Sequence, residues 1–168
     1  MKRFIVKIIS ICMVAFLTVP TAMAATETLN EWQDLVLTEN EFNDIISNGA
    51  IHTTGSDTRA SNLINAWALA ISKSGTNTLY IAGRTTGTTE VVKTGFKEVV
   101  IQRRTSSSAS WSDYKTYEDL YIDDVAYILT KSLTVPTGYQ YRVTCIHYAK
   151  KNIFSVQKID NVSNILTF

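Results

Sequence analysis

The sequence predicts an all-β protein: one antiparallel β-sandwich, preceded by a signal peptide and a short, partly helical acidic leader. Three observations carry this. Past residue 60 the chain is a series of short runs rich in β-branched and aromatic residues. Polar turn clusters such as "TSSSAS" punctuate those runs at the spacing typical of sandwiches. Finally, "YQYRVTCIHY" alternates Tyr141, Val143, Cys145 and His147 against Arg142, Thr144, Ile146 and Tyr148, the period-2 mark of a half-buried strand.

Taken in chain order, the first element is a targeting segment. Lys2, Arg3 and Lys7 precede an apolar run from Ile8 to Val19, Pro20 breaks it, and Ala22-Met23-Ala24 supplies a small-x-small cleavage site. The run is too short for a bilayer core, which needs roughly 20 residues. Residues 1–24 therefore read as a cleaved signal, Ile11 argues against a lipoprotein reading of Cys12, and the product is expected to be secreted with no membrane anchor. About 144 residues remain, enough for one domain with a modest core.

The leader, 25–60, is acidic. Residues 25–57 hold seven acidic side chains and no Lys or Arg, whereas 58–168 hold thirteen basic and eight acidic ones. A solvated tail is the simpler reading of this asymmetry, and an acidic leader resting on a basic domain is the alternative. The basic excess forms no stripe, so nucleic acid is not an expected partner. Within the leader, "TENEFNDIISNGA" predicts a short helix. Thr38 and Glu41 have capping-box spacing, Phe42, Ile45 and Ile46 share a face, and Gly49 is the stop. "HTTGSDTRAS", residues 52–61, reads as a linker into the domain at 61–168.

Within the domain, "SNLINAWALAIS" fits a helix or a strand, and its neighbours favour strand. "TNTLYIAGRTTGTT", "FKEVVIQRR" and "WSDYKTY" follow as strands. "YILTKSLTV" places Tyr127, Leu129, Leu133 and Val135 on one face, with Lys131 as the exception. "YEDLYIDD" gathers Glu118, Asp119, Asp123 and Asp124. Adjacent aspartates on a strand face opposite ways, so this reads as a charged edge hairpin rather than a catalytic pair, and no calcium-loop pattern is present.

Two groups of residues carry potential chemistry. Cys145 and His147 share a strand face, roughly 6–7 Å apart along the pleat, loose for a direct hydrogen bond. A zinc site needs three or four ligands, and the only other histidine, His52, falls in the linker. The pair is therefore expected to belong to the scaffold, with Cys145 packed as a small hydrophobe and His147 half exposed at the strand's end. No cofactor is implied. The second group is Trp111, Tyr114 and Tyr117. If exposed, they suit stacking on sugar rings or anchoring a protein partner, and the alternative is Trp111 folding back to plug one end of the sandwich.

"VVIQRR…SASWSDYKTY…SLTVPTGYQYRVTCIHYAKK" resembles a family of small exported proteins of Gram-positive anaerobes, a domain of unknown function. The resemblance rests on Ile101, Gln102, Arg103, Trp111, Gly138, Tyr139, Tyr141, Arg142, Val143, His147 and Lys150, and covers about residues 60–151. The turns before Trp111 and after Lys151 lack the family's glycine, a departure of loop geometry rather than strand order. The outline is also similar to fibronectin type III and other immunoglobulin-like sandwiches. The resemblance implies an immunoglobulin-like β-sandwich, no catalytic residues, and scaffold roles for Tyr141 and His147. The expectation is a non-catalytic extracellular binding module, monomeric, meeting a protein or a glycan. The alternative is a carbohydrate-binding module, and a cysteine-dependent enzyme is the least favoured reading.

Overall fold

The computed structural model describes residues 32–49, 54–56 and 62–168. The signal segment, His52 and the rest of the leader lie outside them. The elements are β1 (Gln33–Asp34), α1 (Glu39–Gly49), β2 (Thr54–Ser56), β3 (Ile64–Ser74), β4 (Thr78–Gly87), β5 (Lys93–Arg104), β6 (Ser112–Ile122), β7 (Ala126–Thr134), β8 (Gln140–Asn152), β9 (Ser155–Val162) and β10 (Leu166–Thr167). They form two antiparallel sheets packed as a sandwich. The first runs β1-β7-β4-β3-β2. The second runs β10-β8-β5-β6, with β9 also on β8.

The two sheets bury each other's inner faces. Leu69, Ile81 and Leu129 from the first meet Phe96, Ile101 and Val143 from the second in one buried cluster. In β8 the inward set extends through Tyr141, Val143, Cys145, His147 and Ala149, each buried as the alternation requires.

The ambiguous stretch is strand β3. It confuses a periodicity test because Ala68, Leu69, Ala70 and Ile71 are all buried. Leu69 and Ile71 join the inter-sheet core, while α1 packs on β3 and β4 from outside. Ala68 is paired with Arg84, whose guanidinium lies 4.8 Å from the centre of the buried Phe42 ring. A strand covered on both faces loses its alternation.

The helix begins as expected. The Thr38 amide donates to Glu41 Oε2 at 2.8 Å and the Glu41 amide donates to Thr38 Oγ1 at 3.3 Å, a reciprocal capping box. The leader is not a solvated tail over its described part. β1 pairs with β7, the Trp32 ring stacks on Tyr117 of β6 with centroids 3.5 Å apart, and Lys131 ion-pairs with Asp34. Lys131, the charge in an otherwise apolar face, is thus the partner of the leader. Part of the expected linker, 54–56, is likewise a strand paired with β3.

One further expectation changes. The "YEDLYIDD" stretch is not a hairpin. β6 is an edge of the second sheet, whereas β7 belongs to the first, so the chain crosses the sandwich there. The strand ends at Ile122, and Asp123 and Asp124 lie in that crossing. The turn into β8 carries a tyrosine corner, the hallmark of immunoglobulin-like sandwiches. Tyr141 Oη donates to the Pro136 carbonyl at 2.8 Å. Gly138, at φ 83°, makes that bend in a conformation side chains disfavour.

Candidate functional site

The side chains of Cys145 and His147 approach more closely than their spacing along the strand suggests. Cys145 Sγ lies 3.4 Å from His147 Nε2. His147 is not half exposed but fully buried, and Cys145 is 4 % exposed. The strand continues past His147, with β9 and β5 on either side, which is why the imidazole is interior. Thr85 Oγ1 donates to the Gly95 carbonyl at 3.0 Å and sits 2.8 Å from His147 Nδ1. A hydroxyl has one hydrogen, so Nδ1 carries the proton toward Thr85. Nε2 then accepts from Asn161 Nδ2, 3.3 Å away, and faces the thiol.

Burial pushes the Cys145 thiol well up and lowers the His147 imidazole to about 3. Both groups are therefore neutral at physiological pH, the reverse of a thiolate–imidazolium pair. A groove of about 510 Å³ outside β8 and β9, lined by Glu98, Thr144, Ile146, Asp160 and Val162, also touches Cys145 and Asn161. The small exposure of the thiol leaves it part of the interior. Among the described residues no group of three or more His, Cys, Asp or Glu is arranged to hold a metal ion.

The aromatic trio is not brought to one face. The polar ladder of β5 and β8 pairs Gln102 with Arg142 and Arg104 with Gln140 on the outer side of the second sheet. Trp111 lies there, with the Arg104 and Arg142 guanidinium centres each 4.4 Å from its ring centre. It does not plug an end of the sandwich. Tyr114 and Tyr117 instead pack against the inter-sheet core. Tyr114 meets Tyr141 edge-on at 6.1 Å and carries Arg103 4.5 Å from its ring centre. Tyr117 holds Trp32.

The two guanidinium groups on Trp111 are positioned by amides. Arg104 Nε donates to Gln140 Oε1 and Arg142 Nε to Gln102 Oε1, both at 2.8 Å. Gln102 Nε2 in turn donates to Asp113 Oδ1 at 2.8 Å. Desolvation, then repulsion from Arg104, lowers the pKa of Arg142. Neither arginine forms an ion pair with a carboxylate among the described residues. Sequence reasoning found Trp111 but missed these arginines. The signal was present: Gln102, Arg104, Gln140 and Arg142 are each one residue off the inward-facing set of their strands.

The acidic group is dispersed. Asp119 pairs with Lys97 at 2.5 Å and accepts from Tyr121 Oη, which lowers its pKa. Asp123 pairs with Lys93 at 3.0 Å, and the Asp124 carboxylate caps the Val125 amide. No family model, curated protein or solved structure matches the chain.

Proposed function

We propose that the protein is a secreted, non-catalytic binding module that meets a protein or surface outside the cell. In this reading its recognition face is the outer side of the second sheet around Trp111. The observation that carries the proposal is the Trp111, Arg104 and Arg142 cluster. A large planar side chain and two cations without carboxylate partners among the described residues are held in place by neighbouring amides, so little side-chain freedom is lost on binding. Trp and Arg are also the residue types that dominate binding energy at interfaces. The interior placement and neutral states of Cys145 and His147 support a scaffold role for that pair, in keeping with the resemblance to small exported proteins. The module needs no cofactor and acts as a monomer.

A carbohydrate-binding module is the second reading, and Trp111 alone of the trio supports it, because Tyr114 and Tyr117 pack against the core. Affinity capture from culture supernatant and cell-surface extract, paired with a glycan array, tests both. Trp111→Ala is expected to lower capture of the retained ligand at least tenfold while leaving the thermal midpoint within a few degrees. Repeated capture of nothing overturns the binding reading. An array without hits, or with hits that survive Trp111→Ala, removes the carbohydrate one.

A further inference from the structure

Most of the large apolar side chains that the described residues leave exposed sit at one end of the sandwich. They are Val92, Ile122, Val125, Ile153, Phe154 and Val156. Strand register places them together, since Ile122 pairs with Thr94 beside Val92 and Lys93, Lys93 pairs with Lys150, and Lys150 pairs with Val156. The β8–β9 hairpin projects furthest in exposure, with Ile153 76 % and Phe154 90 % exposed at its apex. Hairpin apices are ordinarily Asn, Asp or Gly. Here Asn152 Oδ1 accepts the Phe154 amide at 2.9 Å, a side-chain turn that fixes the apex while its two largest side chains point into solvent.

The charges carried by the hairpin itself are of one sign, while Glu90, Asp123 and Asp124 border the patch. Residues 148–158 contain Lys150, Lys151 and Lys158 and no acidic residue. Lys151 is paired with Glu90 at 2.8 Å, whereas Lys150 and Lys158 have no carboxylate within ion-pair distance among the described residues. Beside Lys158, Tyr148 and Tyr121 meet over Gly95 with ring centres 4.6 Å apart.

We infer that this hairpin is a membrane-surface docking element that inserts Ile153 and Phe154 among the headgroups of an anionic bilayer, with Lys150 and Lys158 meeting the lipid phosphates. A convex apolar apex suits a deformable bilayer, whereas a rigid protein would have to supply a matching pocket. The lysines supply the charge complementarity, which is strongest for an anionic surface. The inference stands apart from the proposed ligand face at Trp111, which lies toward the opposite ends of β5 and β8.

The test is vesicle co-sedimentation of the full chain with phosphatidylglycerol–phosphatidylcholine vesicles and with pure phosphatidylcholine vesicles. Wild-type protein is expected to partition at least tenfold better to the anionic vesicles, less so at high salt. Ile153→Ser with Phe154→Ser is expected to lower that partitioning about tenfold, and Lys150→Gln with Lys158→Gln to erase the preference for anionic lipid. Ile153, Phe154 and Lys158 are exposed, and the half-buried Lys150 has no carboxylate partner among the described residues, so unfolding curves of the variants should overlay the wild type. Vesicle binding that survives the apex substitutions overturns the inference, because it then arises elsewhere in the chain. So does an absence of binding at low salt, or a protein partner that needs the apex when anionic vesicles do not bind. The Trp111→Ala variant should sediment as the wild type does, which separates this result from the ligand-face proposal.

Discussion

His147 is fully buried between the sheets, with a donor's partner on one nitrogen and acceptor's partners on the other. Protonating it would place a second N–H against an amide nitrogen and a thiol, neither of which accepts well, in a desolvated site. Its folded pKa of about 3 lies below the unfolded value near 6.5. Between those values the unfolded chain binds a proton that the folded one does not. Stability therefore falls as pH falls from about 6.5 toward 3, with a limiting slope of about 1.4 kcal/mol per pH unit, and this residue adds no pH dependence above that window. Urea unfolding of the wild type and His147→Gln from pH 7.5 to 5 should differ in slope by close to one proton at the acid end. Should the variant fail to fold, the imidazole carbon-bound proton signals of the wild type should stay unshifted across the same range. A mid-range titration of His147 would contradict the buried, neutral assignment.

At the scale of elements, short segments between strands do structural work that strands do elsewhere. β9 ends at Val162 and β10 starts at Leu166, and the two residues that follow β9 join the sheets. Ser163 exchanges hydrogen bonds with Val143 of β8, its amide donating to the Val143 carbonyl and its hydroxyl accepting the Val143 amide, both at 2.8 Å. The Asn164 side chain acts as a strand partner for Ile71 of β3, accepting its N–H and donating to its carbonyl, both at 2.9 Å. β2 covers β3 only from Ala66 to Ala68, so without Asn164 the Ile71 groups would be buried and unpaired. Asn164→Ala should then destabilise the protein by about 2–5 kcal/mol, the cost of two unsatisfied backbone groups. Asn164→Asp, which keeps the acceptor but loses the donor, should be no better than partial rescue at neutral pH. A loss under about 1 kcal/mol in urea unfolding would show that water takes over the amide's role.

For the whole molecule, the question is whether residues before the sandwich belong to its cooperative unit. Trp32 spans the open side between the sheets by stacking on Tyr117, while β1 extends the first sheet at β7. Phe42 anchors α1 with 4 % exposure against β3 and β4. A helix of three turns has little stability of its own, so its order depends on that anchor. Phe42→Ala should cost about 3 kcal/mol and move the single thermal transition downward. If the helix unfolds separately, the main transition will not move and only a helical dichroism signal will be lost at lower temperature.

What the sequence determined by itself was whatever depends on near neighbours along the chain. The inward set Tyr141, Val143, Cys145 and His147 follows from the two-residue pleat, and the Thr38–Glu41 cap from one helical turn. The all-β class itself follows from repeated runs and turns. Only the tertiary structure decided which sheet each strand joined and where Trp111, Trp32 and Asn164 went. It also decided that a cysteine and a histidine two residues apart would touch in the dark of the core. Those outcomes rest on partners remote in sequence, such as Gln157 accepting the Leu63 and Ile64 amides from β9. Local periodicity reports which way a side chain faces. It carries no information about what, dozens of residues away, will be waiting there.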